Sequence, residues 1–265
     1  MISDFHLHSC FSGDSEADLL QIIKKAVDLG MPYLCFTDHQ DFDYGDDFNF
    51  SLDIDHYYDT ISILRDQYAS KIKLCIGVET GLEPNLSNRL DHFINSKPFD
   101  FVIGSSHLVN RTDPFYPAYW ENRNDLDAFD EYFLSIRDTV KVCNNFDVYG
   151  HLDYVVRYSP NKSKNYSFFN HKDLIDEILK TIINMGKGIE LNTGGMSRGL
   201  DFPNPHPDII KRYLELGGEI ITVGSDAHIP EQIGFRFDIA KKLLEQIGFK
   251  YYTIYKNRKP KFIKL

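Results

Sequence analysis

Apolar and polar residues form two kinds of block that follow one another along the chain. Short runs rich in β-branched and aromatic residues, bounded by turn-forming residues, are typical of strands. Seven such runs occur, at residues 2–8, 33–37, 73–79, 101–105, 147–151, 188–192 and 220–224. The longer stretches between them place apolar residues three and four positions apart, which predicts helices with one buried face.

The first predicted helix shows this spacing clearly, with apolar positions from Leu19 to Val27 on one face. Ser15 and Asp18 predict a capping box at its start, and Gly30 predicts its end. Further helices are predicted at residues 55–68, 86–94, 126–142, 172–185, 207–216 and 231–247.

Alternation of strands and helices specifies a parallel α/β sheet. Seven units favour closure into a barrel, and a doubly wound open sheet fits the same pattern. The 265 residues, 42% of them hydrophobic, suffice for one large core, so a single domain over residues 1–265 is expected. Three connections are long, at residues 40–53, 110–124 and 155–170, and long loops at a barrel mouth usually serve the site.

Composition narrows the class of protein. A net charge of -10 argues against non-specific nucleic-acid binding, which requires a basic surface, although bound metal ions would still admit an anionic substrate. Neither a signal stretch nor a membrane span is found, which predicts a cytoplasmic enzyme without a membrane partner. The four cysteines form no CxxC pair and are expected to be buried free thiols: Cys10, Cys35, Cys75 and Cys143. The oligomeric state is left open.

Imidazoles and carboxylates stand at six of the seven predicted strand ends, where the chemistry of a barrel is built. Six of the ten histidines occupy these ends, and the other four fall in or before predicted helices: His56, His92, His171 and His206. Bringing so many polar groups together without a metal would cost about 1 to 3 kcal/mol for each poorly satisfied group. Mixed nitrogen and oxygen ligands suit zinc, iron or manganese, so a multinuclear metal site is predicted.

The motifs at these ends resemble the ordered metal-ligand series of the polymerase-and-histidinol-phosphatase (PHP) family between Asp4 and about Gly234. They are His6-Leu7-His8, Asp14, Thr37-Asp38-His39, Glu79, His107, His151 and Ser225-Asp226-Ala227-His228. The resemblance implies a distorted (β/α)7 barrel, in agreement with the count of seven strands. It also implies two to three divalent ions, of zinc, manganese or iron.

The family pattern implies three ligand groups. The first ion would be held by His6, His8, Glu79 and Asp226. The second would be held by Glu79, His107 and His151, with Glu79 bridging. The third would be held by Asp14, His39 and His228, where aspartate replaces a histidine found in many members and resembles the histidinol-phosphatase branch.

Arg157 and Arg198 match positions that bind phosphate in that branch, and a guanidinium group can hold phosphate oxygens with two hydrogen bonds. The implied activity is hydrolysis of L-histidinol phosphate, a step of histidine biosynthesis, by hydroxide held between metal ions. Asp226, His228 or a metal-bound water would return the proton to the leaving alkoxide.

The acidic loop after the second strand mixes Asp41, Asp43, Asp46 and Asp47 with aromatic residues, which would suit the amine and imidazole of that substrate or be a solvated surface. Asp153 is a further candidate for this contact. Two alternatives stay open at this point: a PHP phosphoesterase acting on a nucleotide or another small monoester, and a metal-dependent amidohydrolase. The two arginines argue against the amidohydrolase, because a neutral amide has no dianion to hold. A non-catalytic polymerase module is not expected, since it would lack ligands or carry fused domains.

Overall fold

A parallel β-sheet that curls into a barrel forms the centre of the computed structural model, which describes residues 2–45 and 48–265. Its strands are β1 (Tyr33–Phe36), β2 (His39–Gln40), β3 (Lys73–Gly81), β4 (Phe101–Ser105), β5 (Val148–Tyr149), β6 (Gly188–Asn192) and β7 (Ile221–Gly224). They pair in the order β1-β3-β4-β5-β6-β7, with β2 also paired to β3, and all these pairings are parallel. The carboxyl ends therefore open at one mouth, which confirms the predicted barrel architecture.

The N-terminal segment closes the ring between β7 and β1. Asp4 forms a parallel bridge to Leu34 of β1, and Leu7 forms one to Ala227 just beyond β7. Hydrogen bonds from the Phe5 amide to β7 and from β1 to the Asp4 carbonyl support the same position. The predicted first strand is thus extended and occupies a strand position, but it makes isolated bridges and no continuous ladder.

Helices and short turns connect the strands. The helices are α1 (Leu19–Asp28), α2 (Ile54–Gln67), α3 (Ser87–Ile94), α4 (Pro117–Trp120), α5 (Asp125–Val140), α6 (Lys172–Asn184), α7 (Gly194–Ser197), α8 (Pro207–Glu215) and α9 (Phe237–Ile247). Six of the seven predicted helices are present at nearly their expected bounds. The last begins at Phe237 instead of residue 231, because Gly234 adopts a left-handed conformation (φ 66°) and its amide bonds the Asp4 carboxylate at 3.1 Å.

The start of α1 differs from the predicted capping box. Asp18 is itself the N-cap, since its carboxylate accepts the Gln21 amide at 3.0 Å. The Ser15 hydroxyl instead donates to the His228 carbonyl at 3.0 Å, so this serine links the first loop to the loop after β7. Ser15 therefore joins two loops of the barrel mouth and does not cap the helix.

A C-terminal hairpin, β8 (Tyr251–Lys256) and β9 (Lys259–Lys264), was not predicted. Its turn residues, Asn257 and Arg258, both have positive φ, as tight hairpin turns require. The Asn257 amide and Arg258 side chain bond Asp100 and Asp147, which precede β4 and β5. The hairpin therefore covers the end of the barrel opposite the mouth, and the aromatic and β-branched residues of β8 were the available signal.

The core fills the barrel and the layer beneath the helices. Phe36 of β1 and Ile23 of α1 are both fully buried, in agreement with the apolar pattern. All four cysteines are free, and Cys10 differs from the expectation because it lies exposed in a turn after the N-terminal segment. Within the described ranges, 2–45 and 48–265, none of the helices has the length and apolar character that crossing a bilayer demands.

Candidate metal centre

The nine predicted ligands meet at the carboxyl end of the barrel. His6 and His8 lie on the N-terminal segment, and the parallel register of β2 and β3 puts His39 beside Glu79. The others lie in loops at the same mouth: Asp14, His107, His151, Asp226 and His228. Barrel closure brings Asp14 and His228 to hydrogen-bonding distance although 214 positions separate them in the chain.

In the first predicted ligand group, two carboxylates approach the Nε2 atoms of His6 and His8. Glu79 Oε2 lies 2.9 Å from His6 Nε2 and 3.4 Å from His8 Nε2. Asp226 Oδ1 lies 3.9 Å and 3.6 Å from the same two nitrogens. Ligand atoms about 2.0–2.2 Å from one tetrahedral ion lie roughly 3.3–3.6 Å from each other, so this spacing suits one divalent ion.

The second predicted group uses the other oxygen of Glu79. Its Oε1 lies 2.9 Å from His151 Nε2 and 3.3 Å from His107 Nε2, and it also accepts the Ser105 hydroxyl at 2.6 Å. One oxygen of Glu79 thus faces the first group and the other faces the second. This is the arrangement that a bridging carboxylate needs.

The third predicted group is more exposed and lies at the rim. His228 Nε2 is 3.0 Å from Asp14 Oδ2, and His39 Nε2 is 3.8 Å from the same oxygen. The His8 ring stacks between His39 and His228, with centroid distances of 4.2 and 4.3 Å. The third group therefore adjoins the first.

Divalent cations suit this donor set because imidazole nitrogens and carboxylate oxygens converge on shared points. His6 Nδ1 lies 2.7 Å from Glu190 Oε1, so a neutral ring would carry its proton on Nδ1 and direct the Nε2 lone pair toward Glu79. His39 Nδ1 is buried without a hydrogen-bond partner among the described residues, although Glu79 Oε2 lies 3.3 Å away. A shared cation would satisfy these atoms, so the residues present fit a multinuclear metal centre.

Glu190 on β6 was not singled out from the sequence. Besides holding His6, its Oε2 accepts the His151 amide at 3.0 Å, so one carboxylate orients residues of two ligand groups. Gly224 makes this possible, since a Cβ there would stand 2.3 Å from both Glu190 Oε1 and His6 Cβ. The sequence feature that could have indicated Glu190 was an acidic residue inside an otherwise apolar predicted strand.

Two further supporting contacts were also missed. Ser12 Oγ lies 3.0 Å from His8 Nδ1 and donates to the Asp38 carboxylate at 3.0 Å. Asp38 therefore helps to orient the predicted ligand His8 through Ser12. Asp41 Oδ2 lies 2.5 Å from His107 Nδ1. Each contact places a ring proton on Nδ1 and leaves Nε2 free to bind a metal.

Burial and neighbouring charges set the ionisation of the centre. Burial by itself would raise the pKa of Glu79, but His6 and His39 hold that pKa well below its usual range. Asp226 behaves likewise, with Arg198 and Arg157 lowering its pKa against burial. Both carboxylates are therefore anionic at neutral pH, as metal ligands must be.

Asp226 also has an unusual backbone. Its φ of 55° lies in the left-handed region, which is costly for a residue other than glycine. A hydrogen bond from its amide to the His6 carbonyl, 2.7 Å long, fixes this conformation. Strain of this kind collects at functional sites, because the surrounding structure must impose it.

The two predicted phosphate-binding arginines lie beside Asp226. Arg157 is buried and donates from Nη1 to Asp226 Oδ2 at 2.6 Å and from Nη2 to Asn192 Oδ1 at 2.7 Å. Arg198 is 30% exposed, with Nη1 3.6 Å from the same Asp226 oxygen. Both line the cavity over the ligands, so the structure brings them to the predicted place.

This cavity has a volume of about 340 Å³, and all three long loops contribute to it. Its outer wall is aromatic: Tyr44, Phe48, Phe50, Phe115, Tyr154 and Tyr158. Asp153, a predicted substrate contact, does not line it, because its carboxylate accepts the Asn204 amide group at 2.5 Å and the His206 amide at 2.8 Å. Asp46 and Asp47 of the acidic loop lie outside the described residues.

The fold and site define an α/β barrel with a histidine and carboxylate cluster, suited to several divalent ions, at its mouth. The family model of the PHP domain matches residues 4–194. The chain therefore belongs to the PHP family.

Its relatives include two similar proteins of known sequence and one solved structure. The histidinol-phosphatase of Lactococcus lactis is 34% identical over 93% of this chain and 91% of its own length. A probable histidinol-phosphatase of Clostridium acetobutylicum is 31% identical over 94% and 95%. The crystal structure of a Lactococcus lactis histidinol phosphate phosphatase, in complex with zinc, L-histidinol and phosphate, superposes with a TM-score of 0.91, at 32% identity and 98% coverage of both chains.

Proposed function

We propose that this chain is a histidinol phosphatase, which hydrolyses L-histidinol phosphate to L-histidinol and phosphate as a step of histidine biosynthesis. The observation that carries the proposal is the pair of arginines beside Asp226, directly over the metal-ligand cluster. Fixed cations next to a metal centre suit a phosphate dianion. Relatives named for this activity, and one with histidinol and phosphate bound, support the substrate.

We propose two to three divalent ions of zinc, manganese or iron as cofactors, held by the three ligand groups described above. The zinc in the Lactococcus lactis structure and the ligand spacing of the present chain support this proposal. When bound, such ions lower the pKa of water and neutralise charge on the phosphate oxygens.

The chain's own residues would position the phosphate and move protons. Arg157 and Arg198 would hold phosphate oxygens during the displacement. The lowered pKa of Asp226 keeps its carboxylate anionic, so it would accept a hydrogen bond from the attacking water and orient it. The proton for the leaving alkoxide would come from Asp226, His228 or a metal-bound water.

A comparison of substrates tests the proposal. We expect a kcat/KM for L-histidinol phosphate at least about tenfold above that for p-nitrophenyl phosphate, because contacts to the amine and imidazole can each contribute about 1.5 to 3 kcal/mol. Steady-state kinetics on metal-analysed protein, with nucleotides and simple phosphate esters alongside, gives the ratios. A preference for a nucleotide or another ester would instead support a PHP phosphoesterase with that substrate.

Replacing either arginine with methionine should reduce kcat/KM for L-histidinol phosphate by about ten- to a hundredfold, since each charged hydrogen bond is worth about 1.5 to 3 kcal/mol. Arg157→Met should have the larger effect, because Arg157 also fixes Asp226 through its 2.6 Å contact. Arg137→Met, at a surface arginine paired with Asp138, is the matched control. Normal kinetics in both site variants would show that these arginines do not bind the phosphate.

Two further expectations belong to this proposal. A single domain over residues 1–265 is supported by the contacts of the C-terminal hairpin with Asp100 and Asp147 at the closed end of the barrel. A cytoplasmic location is supported by four cysteines that are all free, since thiols persist in a reducing compartment.

A further inference from the structure

One buried acid in the cavity wall has no basic group within 4.0 Å among the described residues. Asp113 is 3% exposed and lies in the long loop between β4 and α5. Its carboxylate accepts the Tyr44 hydroxyl at 2.6 Å, the Tyr154 hydroxyl at 3.1 Å and the Phe115 amide at 2.7 Å. All three donors are neutral, and no Lys, Arg or His nitrogen of the described residues comes within 4.0 Å of this carboxylate.

The other acids that line the cavity differ in this respect. Asp41 faces His107, Asp14 faces His228, and Asp226 faces Arg157, each within 3.0 Å. Glu79 lies among the histidines of the metal centre. Among the described acids of this wall, Asp113 is thus the one without a basic group in direct contact, so a cation that enters the cavity could pair with it.

Asp113 also lies at a suitable distance from the metal centre. The Tyr154 ring lies against His107 and His151, with centroid distances of 5.4 and 5.2 Å, and its hydroxyl reaches Asp113. The Tyr154 ring therefore separates the Asp113 carboxylate from the metal ligands. Aromatic residues surround it, including Phe115, whose ring packs on Tyr158 at 5.4 Å. Aromatic faces and a carboxylate together suit an organic cation.

We propose that Asp113 is a specificity-determining residue that binds the cationic end of the substrate, the ammonium or imidazolium group, while the phosphate lies over the metal ligands. This inference rests on the proposed function. Tyr44, from the first long loop, and Tyr154, just before the third, hold the carboxylate in place. Asp41 and Asp153, the acids favoured by sequence order, are engaged with His107 and with Asn204 instead.

The test is the ratio of kcat/KM for L-histidinol phosphate to that for p-nitrophenyl phosphate, which carries no cation. In Asp113→Asn this ratio should fall by about ten- to a hundredfold, because one charged hydrogen bond is lost with the first compound alone. The inhibition constant of L-histidinol should rise in parallel. Asp138→Asn, the same substitution at an exposed acid paired with Arg137, is the matched control and should hold the ratio within about threefold of wild type.

The outcomes separate the inference from the proposed function. A wild-type protein with no preference for L-histidinol phosphate would overturn both. A wild-type preference that Asp113→Asn retains would overturn the role of Asp113 alone, and so would an equal loss with both substrates. Circular dichroism checks folding, and Asp113→Ser provides a second uncharged variant in which the same ratio decides.

Discussion

Glu79→Ala is expected to reduce kcat/KM for L-histidinol phosphate by about a thousandfold or more, together with loss of bound metal. The side chain offers one oxygen to the His6 and His8 side of the centre and the other to His107 and His151. Its removal would disturb two ions at once. Catalytic ions supply several kcal/mol of transition-state stabilisation, and about 1.4 kcal/mol corresponds to a factor of ten in rate.

Metal analysis and steady-state kinetics on the same preparation would check this expectation. Glu245→Ala is the matched control, because Glu245 is exposed on α9 and its only ion pair among the described residues is with Lys241 at 3.9 Å. Glu79→Ala with full metal content and wild-type turnover would show that the bridging assignment is wrong. Glu79→Gln, which keeps the shape and one acceptor, should be intermediate in metal content.

Chelation of the metals should abolish hydrolysis and leave a folded protein whose stability falls as pH rises from about 6.5 to 8. Burial would lower the pKa of His6 and of His107, yet Glu190 and Asp41 respectively raise each pKa well above 6.5. Without metal these rings hold protons that the unfolded chain, with its histidine pKa near 6.5, releases first. Their contribution is complete below pH 6.5 and is lost as pH rises through the folded pKa, at about 1.4 kcal/mol per pH unit for each proton.

Histidines with lowered pKa do not cancel this trend. Burial lowers the pKa of His151 to about 4, so this ring is neutral in the folded chain, and the unfolded chain loses most of its histidine charge within about one pH unit above 6.5. The melting temperature of the chelated protein should therefore drop by several degrees, roughly 5 °C or more, between pH 6.5 and 8. Metal reloading should restore activity and flatten the profile, because bound ions replace the protons. A melting temperature that is flat or rises with pH before reloading would contradict the assigned charges.

Much of the architecture could be predicted from local pattern. The helices from α1 to α8 that the apolar spacing indicated lie close to their expected bounds, since an amphipathic face depends on residues three and four apart. The common location of the strand ends could also be predicted, because a parallel barrel places every carboxyl end at one mouth. That rule alone predicted that His8 and His228 would lie at the same mouth, where their rings stack with centroids 4.3 Å apart.

The predicted helix starts were wrong where a residue makes its hydrogen bond with a distant part of the chain, which the local pattern does not describe. Ser15 was expected to cap α1, but Asp18 is nearer to the helix amides, and the serine hydroxyl bonds the loop of His228 instead. The late start of α9 has the same origin, because Asp4 takes the Gly234 amide. Both are contacts between distant parts of the chain that outcompete a local propensity.

The sequence by itself determined the order of strands and helices, the end of the barrel that carries chemistry, and the kinds of ligand at each strand end. Only the tertiary structure decided which groups orient those ligands. Glu190 reaches His6 across 184 positions, and Asp41 reaches His107 across 66. It likewise showed that Asp113 is left without a basic partner among the described residues while Asp153 is withdrawn from the cavity. The reason is physical: periodicity fixes which face of an element is buried, whereas the pairing of polar side chains depends on how the closed barrel brings distant loops together.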